Sequence, residues 1–190
     1  MSNTWKLEAG SPADYSRRIA PEQRCYQLLD SLGIDYYRVD HAHADTMEEC
    51  REVEKTLDAL ICKNLFLCNR QQTDFYLLMI PGDKAFKTKD LSKQIGSSRL
   101  SFAGAEHMEA LLGVTPGSVT ILGLMNDTEK RVRLLVDEDV LSCDWVGCHP
   151  CINTSSLKLR GSDLFGPVLA ATGHEMTVVH LETPAEEAAP

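Results

Sequence analysis

The 190-residue chain is 43% hydrophobic and 25% charged, a composition that suits one soluble domain with a sizeable core. No stretch approaches the roughly eighteen consecutive apolar residues of a membrane span, and the N-terminal MSNTWKLEAGSPADYSRR has no apolar signal region. A net charge of −9 excludes a protein that coats nucleic acid through bulk charge.

In chain order, PEQRCYQLLDSLG from Pro21 to Gly33 predicts an amphipathic helix. Pro21 lies in its first turn, Cys25, Leu28, Leu29 and Leu32 form the stripe, and Gly33 ends it. IDYYRVD alternates as a short strand. Thr46 followed by Glu49 reads as a capping box opening a helix over TMEECREVEKTLDAL. KNLFLCN and DFYLLMI, separated by the polar Arg70-Gln71-Gln72-Thr73, predict a β-hairpin of buried strands.

Asp90 to Ile95 and Gly104 to Leu112 read as short helices, the second ended by Gly113. SVTILGLMN and RVRLLVDEDVLS read as two strands joined by a turn at Asn126-Asp127. TSSLKLRGSDLFGPVLAATG predicts a strand and then a helix from about Ser162, with EMTVVHL as a closing strand. No internal repeat is present. The expected architecture is one mixed α/β domain over residues 20–181, with a mostly antiparallel sheet or partly closed barrel and surrounding helices. Residues 1–19 form an N-terminal extension, and the acidic, Ala/Pro-rich residues 182–190 read as a disordered tail.

The absence of Gly-x-Gly-x-x-Gly and phosphate-loop motifs counts against a dinucleotide or ATP enzyme. Seven cysteines without a signal region read as reduced thiols of a cytoplasmic protein. DWVGCHPCINTSS is the richest chemical stretch. Cys143, Cys148, His149 and Cys151 offer soft ligands, but structural zinc usually takes two separated pairs, and no second pair stands at that distance. No metal or cofactor is expected. His41-Ala42-His43 is a weaker pair still, since alternate strand residues point to opposite faces. A covalent mechanism has no motif: no Gly-x-Ser-x-Gly is present, and a Cys adjacent to a His in sequence seldom has the geometry of a catalytic pair.

Lys63 interrupts the apolar run ALICKNLFL. Such a lysine either guards a strand edge or lines a pocket where its charge meets a partner. Gly113, Pro116 and Gly117 form a turn leading directly into a strand. That turn is either a plain connection or a loop bringing backbone groups close to a small ligand. Residues 82–100 carry Lys84, Lys87, Lys89, Lys93 and Arg99 against Asp83 and Asp90, and Lys130, Arg131 and Arg133 make a second cluster. These are solvated faces or a local phosphate-contacting patch.

KNLFL, DFYLLMIPGDK, RLSFAGAEHMEALLGVTPGSVT, GLMND, GCHPCINTSS and GHEMTVVHL, in this order, resemble the YbaK-type aminoacyl-tRNA editing superfamily. The likeness is to its freestanding members related to the editing domain of prolyl-tRNA synthetase. The resemblance implies a trans-editing deacylase that hydrolyses Ala-tRNA(Pro), with the mischarged tRNA's acceptor stem and terminal adenosine as partner. Prolyl-tRNA synthetase is a candidate protein partner, with docking on it left open, and neither membrane nor DNA is expected. A synthetic site built for proline excludes a smaller amino acid by only about 1–3 kcal/mol per missing methylene, so a second site must remove the error.

Carried over by the resemblance, Lys63 is the signature lysine beside the terminal adenosine and the aminoacyl group, with Asn64 following it. Gly147, His149, Pro150 and Asn153 form a pocket wall in which His149 and Asn153 face the scissile ester. The loop Gly117, Ser118, Val119, Thr120, Ile121 borders the amino-acid pocket, and Ile121 stands where the family loop has proline. That departure keeps open a deacylase for serine or cysteine on another tRNA, and a non-catalytic aminoacyl-tRNA or amino-acid binding regulator is the third reading. The implied chemistry is direct water attack without an acyl-enzyme. Loop N–H groups would stabilise the oxyanion, and one such donor is typically worth about 2.7–4 kcal/mol. Lys84, Lys87, Lys89 and Lys93 are the expected contacts to the tRNA backbone.

Overall fold

Two apolar runs with no charge apart from Lys63 make the centre of the molecule, strands β3 (Leu60–Asn69) and β4 (Phe75–Pro81). The computed structural model describes residues 5–42 and 47–182. The two strands pair antiparallel, Leu65 opposite Leu78. β4 is buried along its whole length, which explains its unbroken apolar sequence: a strand covered on both faces has no polar side.

The other elements follow in chain order: β1 (Leu7–Ala9), α1 (Ala20–Ser31), β2 (Tyr36–Asp40) and α2 (Met47–Leu57), then, beyond the hairpin, α3 (Thr88–Ile95), β5 (Leu100–Phe102) and α4 (105–112). A 3₁₀ segment (Ile121–Asn126) leads to β6 (Val132–Asp137), α5 (Glu138–Leu141), β7 (Trp145–Cys148), β8 (Ser155–Arg160), α6 (161–172) and β9 (Met176–Val179). The strands form one sheet in the order β1-β2-β8-β7-β3-β4-β6-β9, with β5 added on β3. β3–β7, β4–β6 and β6–β9 are parallel and the remaining pairs antiparallel. The fold is therefore the expected mixed α/β domain with a mostly antiparallel sheet. It is an open sheet rather than a closed barrel, since β1 and β9 stand at opposite ends of the strand order.

Strand alternation sorts the core. Cys62, Phe66, Cys68, Phe75, Leu77, Met79, Leu134 and Val136 face one side with residues of α1, α4 and α6. Leu67, Leu78, Ile80 and Leu135 face the other, with Leu91 of α3. A third cluster joins Val39, Ile61, Val53 and Leu57, seating α2 on the β2–β8–β7 part of the sheet.

Three expectations need correction or restriction. The run 118–126 is not a strand. Thr120 takes extended backbone, its hydroxyl accepts from Leu122 N at 3.3 Å, and Ile121, Leu122 and Leu124 are buried by a helical turn. A β-branched apolar run reads as strand by composition, but a capping threonine can turn it inward. Within the extension, the described residues 5–19 join the fold: β1 extends the sheet beside β2, and Trp5 and Tyr15 pack against core clusters. The capping role of Thr46, the pair partner His43 and the tail from residue 183 lie outside the described residues.

α1 carries Pro21 in its first turn, and Gly33 follows it at φ +65, the left-handed backbone that glycine adopts without cost. Arg18 bridges Glu22 of α1 (3.0 Å) and Asp40 of β2 (2.6 Å), while Arg38 pairs with Asp40 (3.1 Å) and Glu8 of β1. This network ties the extension, α1 and β2 together at the end of β2 from which His41 projects.

Candidate active site

The site lies where β3 and β7 run parallel and α2 crosses them. Leu60 pairs with Val146 and Ile61 with Gly147. β7 then ends in Cys148, and the loop His149–Thr154 returns the chain to β8, whose Leu157 pairs with Cys148. Cys151 sits at φ +60, a left-handed residue that turns this loop sharply.

A cavity of about 250 Å³ opens between these elements. His41, Ser156 and Gly147 line it from the sheet, Asn64 and Cys62 from β3, Val53 and Glu54 from α2, and Gly117 and Asn153 from the two loops. A second cavity of about 350 Å³ adjoins it, lined by Lys63, Phe102, Met108, Pro116 and Val119. The two share Cys62, Asn64, Gly117 and His149 as a common wall.

The structure thus brings together most of the predicted wall: Asn64, Gly117, Gly147, His149 and Asn153 at the first cavity, with Lys63 and Val119 at the second. Lys63 is exposed, and its Nζ donates to Lys84 O at 3.1 Å. Strand alternation puts Lys63 on the opposite face of β3 from Cys62 and Asn64. Asn64 Nδ2 donates to Cys62 O (3.4 Å), and among the described residues its buried Oδ1 has no hydrogen-bond partner.

Four predicted site residues line neither cavity. Ser118 is buried in the turn that carries Gly117: its Oγ donates to Thr115 O (2.9 Å) and accepts from Thr115 N (3.0 Å). Thr120 caps the following 3₁₀ turn, Ile121 is in the core, and Pro150 is buried behind His149. Gly117 itself, at φ +86, is the residue that turn requires.

The basic segment divides as well. Lys84 is 9% exposed and ion-paired to Asp137 (2.8 Å) and Asp139 (2.7 Å). Its ammonium holds the end of β4 to the end of β6 and is not offered to a phosphate. Lys87, Lys89 and Lys93 remain exposed on and beside α3.

Burial disfavours charge on His149 and on the two cysteines of the wall. Burial holds the His149 imidazolium below the usual histidine range, the Ser155 carbonyl opposes this, and His41 adds to it. Burial pushes the Cys62 thiol up to about 12 and the Cys148 thiol higher still. These cysteines pack as protonated thiols and are poor nucleophiles. Cys25 and Cys151 lie with their sulfurs 3.6 Å apart behind the loop. Among the described residues no group of three or more His, Cys, Asp or Glu side chains is arranged to hold a metal ion.

Local sequence does not single out Ser156, Glu54 or Phe102 for the site, and it offers His41 only as half of a weak metal pair. The partner of His41, Ser156, lies 115 residues away and is reached only through the β2–β8 register, Val39 opposite Ser156.

The described residues thus form a two-part cleft in an open mixed sheet, walled by Asn64, His149 and the Gly117 turn. The profile of the aminoacyl-tRNA editing domain matches residues 41–166. The chain belongs to that family, whose chemistry is aminoacyl-tRNA deacylation. It is 30% identical over 160 residues to the prolyl-tRNA editing protein ProX of Acetoanaerobium sticklandii, covering 84% of this chain and 97% of that protein. It is 30% identical over 160 residues to prolyl-tRNA synthetase associated domain-containing protein 1 of Mus musculus (82% and 94%). The fold also matches a solved structure described as a candidate trans-editing enzyme for prolyl-tRNA synthetase, at TM-score 0.64 and 18% identity, covering 86% of this chain and 98% of that one. No helix of the described residues is long and apolar enough to cross a membrane.

Proposed function

We propose that the protein removes alanine from mischarged proline tRNA in trans, by attack of water on the aminoacyl ester. The observation that carries this reading is the pair of adjoining cavities sharing Asn64, Gly117 and His149. An aminoacyl-adenosine also has two bodies, an amino acid and a nucleoside, joined by an ester at the ribose. With the amino acid in the first cavity and the nucleoside in the second, the ester falls on the shared wall. Phe102, 65% exposed at the second cavity, offers an aromatic face to a base, and Lys63 a charge to the terminal nucleotide.

Asn64 Oδ1 is the acceptor awaiting a donor, which the substrate's α-ammonium supplies. The ribose 2′-OH beside the ester orients or activates the water, so the chain need not contribute a charged base. The exposed Lys87, Lys89 and Lys93 face the acceptor stem, and prolyl-tRNA synthetase is the protein from which the mischarged tRNA comes. A second reading keeps the chemistry and takes serine or cysteine as the amino acid. It is favoured by the polar lining of the first cavity, where His41, Asn64 and Ser156 stand among Val53, Ile61 and Cys62.

The deciding experiment is deacylation of Ala-tRNA(Pro), with Pro-tRNA(Pro) and Ser- and Cys-charged tRNAs alongside, by the wild type and Lys63→Ala. Rapid loss of alanine from proline tRNA, with Pro-tRNA(Pro) spared and the variant crippled, is the expected result. Preferential loss of serine or cysteine selects the second reading. Tight binding without hydrolysis of any of them overturns both.

A further inference from the structure

His149 stands at the end of a hydrogen-bonded chain that begins at His41. His41 follows β2, and its backbone N–H donates to Thr154 O at 3.0 Å, beside the loop that carries His149. Its ring is buried, with Nδ1 2.8 Å from Ala42 O and Nε2 2.9 Å from Ser156 Oγ. Ser156 Oγ is in turn 3.4 Å from His149 Nδ1, which lies 2.9 Å from Ser155 O. The two rings are 6.5 Å apart, and Trp5 covers His41 edge-on at 5.9 Å.

The protons in this chain can be assigned from the network. A carbonyl oxygen only accepts, so the Nδ1 facing one carries hydrogen in each ring. His41 Nε2 then bears a lone pair, and the single hydrogen of the Ser156 hydroxyl goes to it. The Ser156 oxygen is thereby left as an acceptor toward His149 Nδ1–H. Without His41, the hydroxyl hydrogen is free to turn to His149 Nδ1 and favour the opposite tautomer, which would face the ester with N–H instead of a lone pair. Burial and the neighbouring His41 also disfavour the charged His149. Among the described residues the other titratable groups around the cavity are Glu54 of α2, Cys62 of β3 and Cys148 of β7, while Asp40 beside His41 is paired with Arg18 and Arg38.

We propose that His41 is a positioning residue: by holding the Ser156 hydroxyl hydrogen, it keeps His149 in the Nδ1–H tautomer, so that Nε2 accepts a hydrogen bond from the attacking water or the ribose 2′-OH. This rests on the deacylase reading of the same site. The variants are His41→Leu, which frees the hydroxyl, Ser156→Ala, which removes it, the double variant, and His41→Gln, whose amide oxygen can take the hydroxyl hydrogen as Nε2 does.

His41→Leu should lower kcat for Ala-tRNA(Pro) by about tenfold to a hundredfold, the usual range for a missing orienting partner. KM should change little, and nitrogen NMR of the free protein should show His149 shifting toward the Nε2–H form. Ser156→Ala should be milder, because the Ser155 carbonyl still holds Nδ1–H. The double variant should recover to the Ser156→Ala level, and His41→Gln should retain most of kcat. A double variant as slow as or slower than His41→Leu overturns the proposal, as does a His149 tautomer unchanged in His41→Leu. The NMR arm needs no substrate. A wild type that deacylates nothing would therefore defeat the functional reading, while the tautomer result still decides the role of His41.

Discussion

Asp137→Ala tests whether the buried charge cluster at the end of β6 holds the fold and, through it, Lys63. The Asp137 carboxylate is fully buried. It accepts from Lys84 Nζ (2.8 Å), Leu181 N (3.1 Å) and Asp139 N (3.2 Å). Alanine leaves a 9%-exposed ammonium with only Asp139, which is itself 59% exposed, and two backbone N–H groups without their acceptor. Breaking a buried pair from one side costs about 3–5 kcal/mol, and the surviving Asp139 places this case at the lower end, about 3 kcal/mol. The two amides add about 0.5 kcal/mol each, for a total of about 4 kcal/mol. With a urea m-value of about 2 kcal/mol/M, the unfolding midpoint falls by about 2 M at unchanged m. Because Lys63 Nζ is bonded to Lys84 O, deacylase activity of the folded variant should fall as well. A stability loss below about 1 kcal/mol would show that Asp139 or water replaces Asp137, and the reasoning would be wrong.

Gly147→Ala places a Cβ 2.5 Å from Ile61 Cδ1 and 3.4 Å from Leu60 O at the wall of the first cavity. The Ile61 side chain must move; we expect about 1–3 kcal/mol of destabilisation and a raised KM for aminoacyl-tRNA, read by urea unfolding and steady-state kinetics. His149 should keep activity on the acid side: its pKa lies below the ordinary 6.5, so the neutral form persists to lower pH, and the acid limb of kcat/KM should fall below that value. The same shift makes the unfolded chain take the proton first. Stability should therefore drop as pH falls through about 6.5, and His149→Gln should remove that part of the pH dependence in urea titrations. Replacing Lys87, Lys89 and Lys93 by Gln should leave kcat unchanged. It should reduce the salt dependence of tRNA binding, with the log–log slope shrinking by about 0.9 for each of these lysines that neutralises a phosphate. Cys62 and Cys148, held protonated by burial, should resist iodoacetamide at about pH 8, where an ordinary exposed thiol reacts; alkylation of either, followed by mass spectrometry, would contradict that assignment.

The β3–β4 hairpin and α1 are legible in the sequence because local chemistry decides them: two apolar runs around a polar turn, and a stripe between Pro21 and Gly33. Residues 121–126 are not, because the same apolar run satisfies a strand or a capped turn, and only the space available beneath α4 and α6 selects the turn. Lys63, Asn64 and the His149 loop are legible through their family motifs rather than through spacing.

Lys84 shows the limit of composition. In sequence it is one lysine of a basic segment, like Lys87 and Lys89, yet its partner Asp137 lies 53 residues away and converts it from a surface charge into a buried anchor. The central hairpin and α1 were decided by the sequence alone, since they depend on neighbours within a few positions. Only the tertiary structure decided that Ser118, Thr120 and Ile121 support the wall rather than line it, and that His41 meets Ser156 behind His149. Those contacts arise from strand register and burial, which no local pattern encodes.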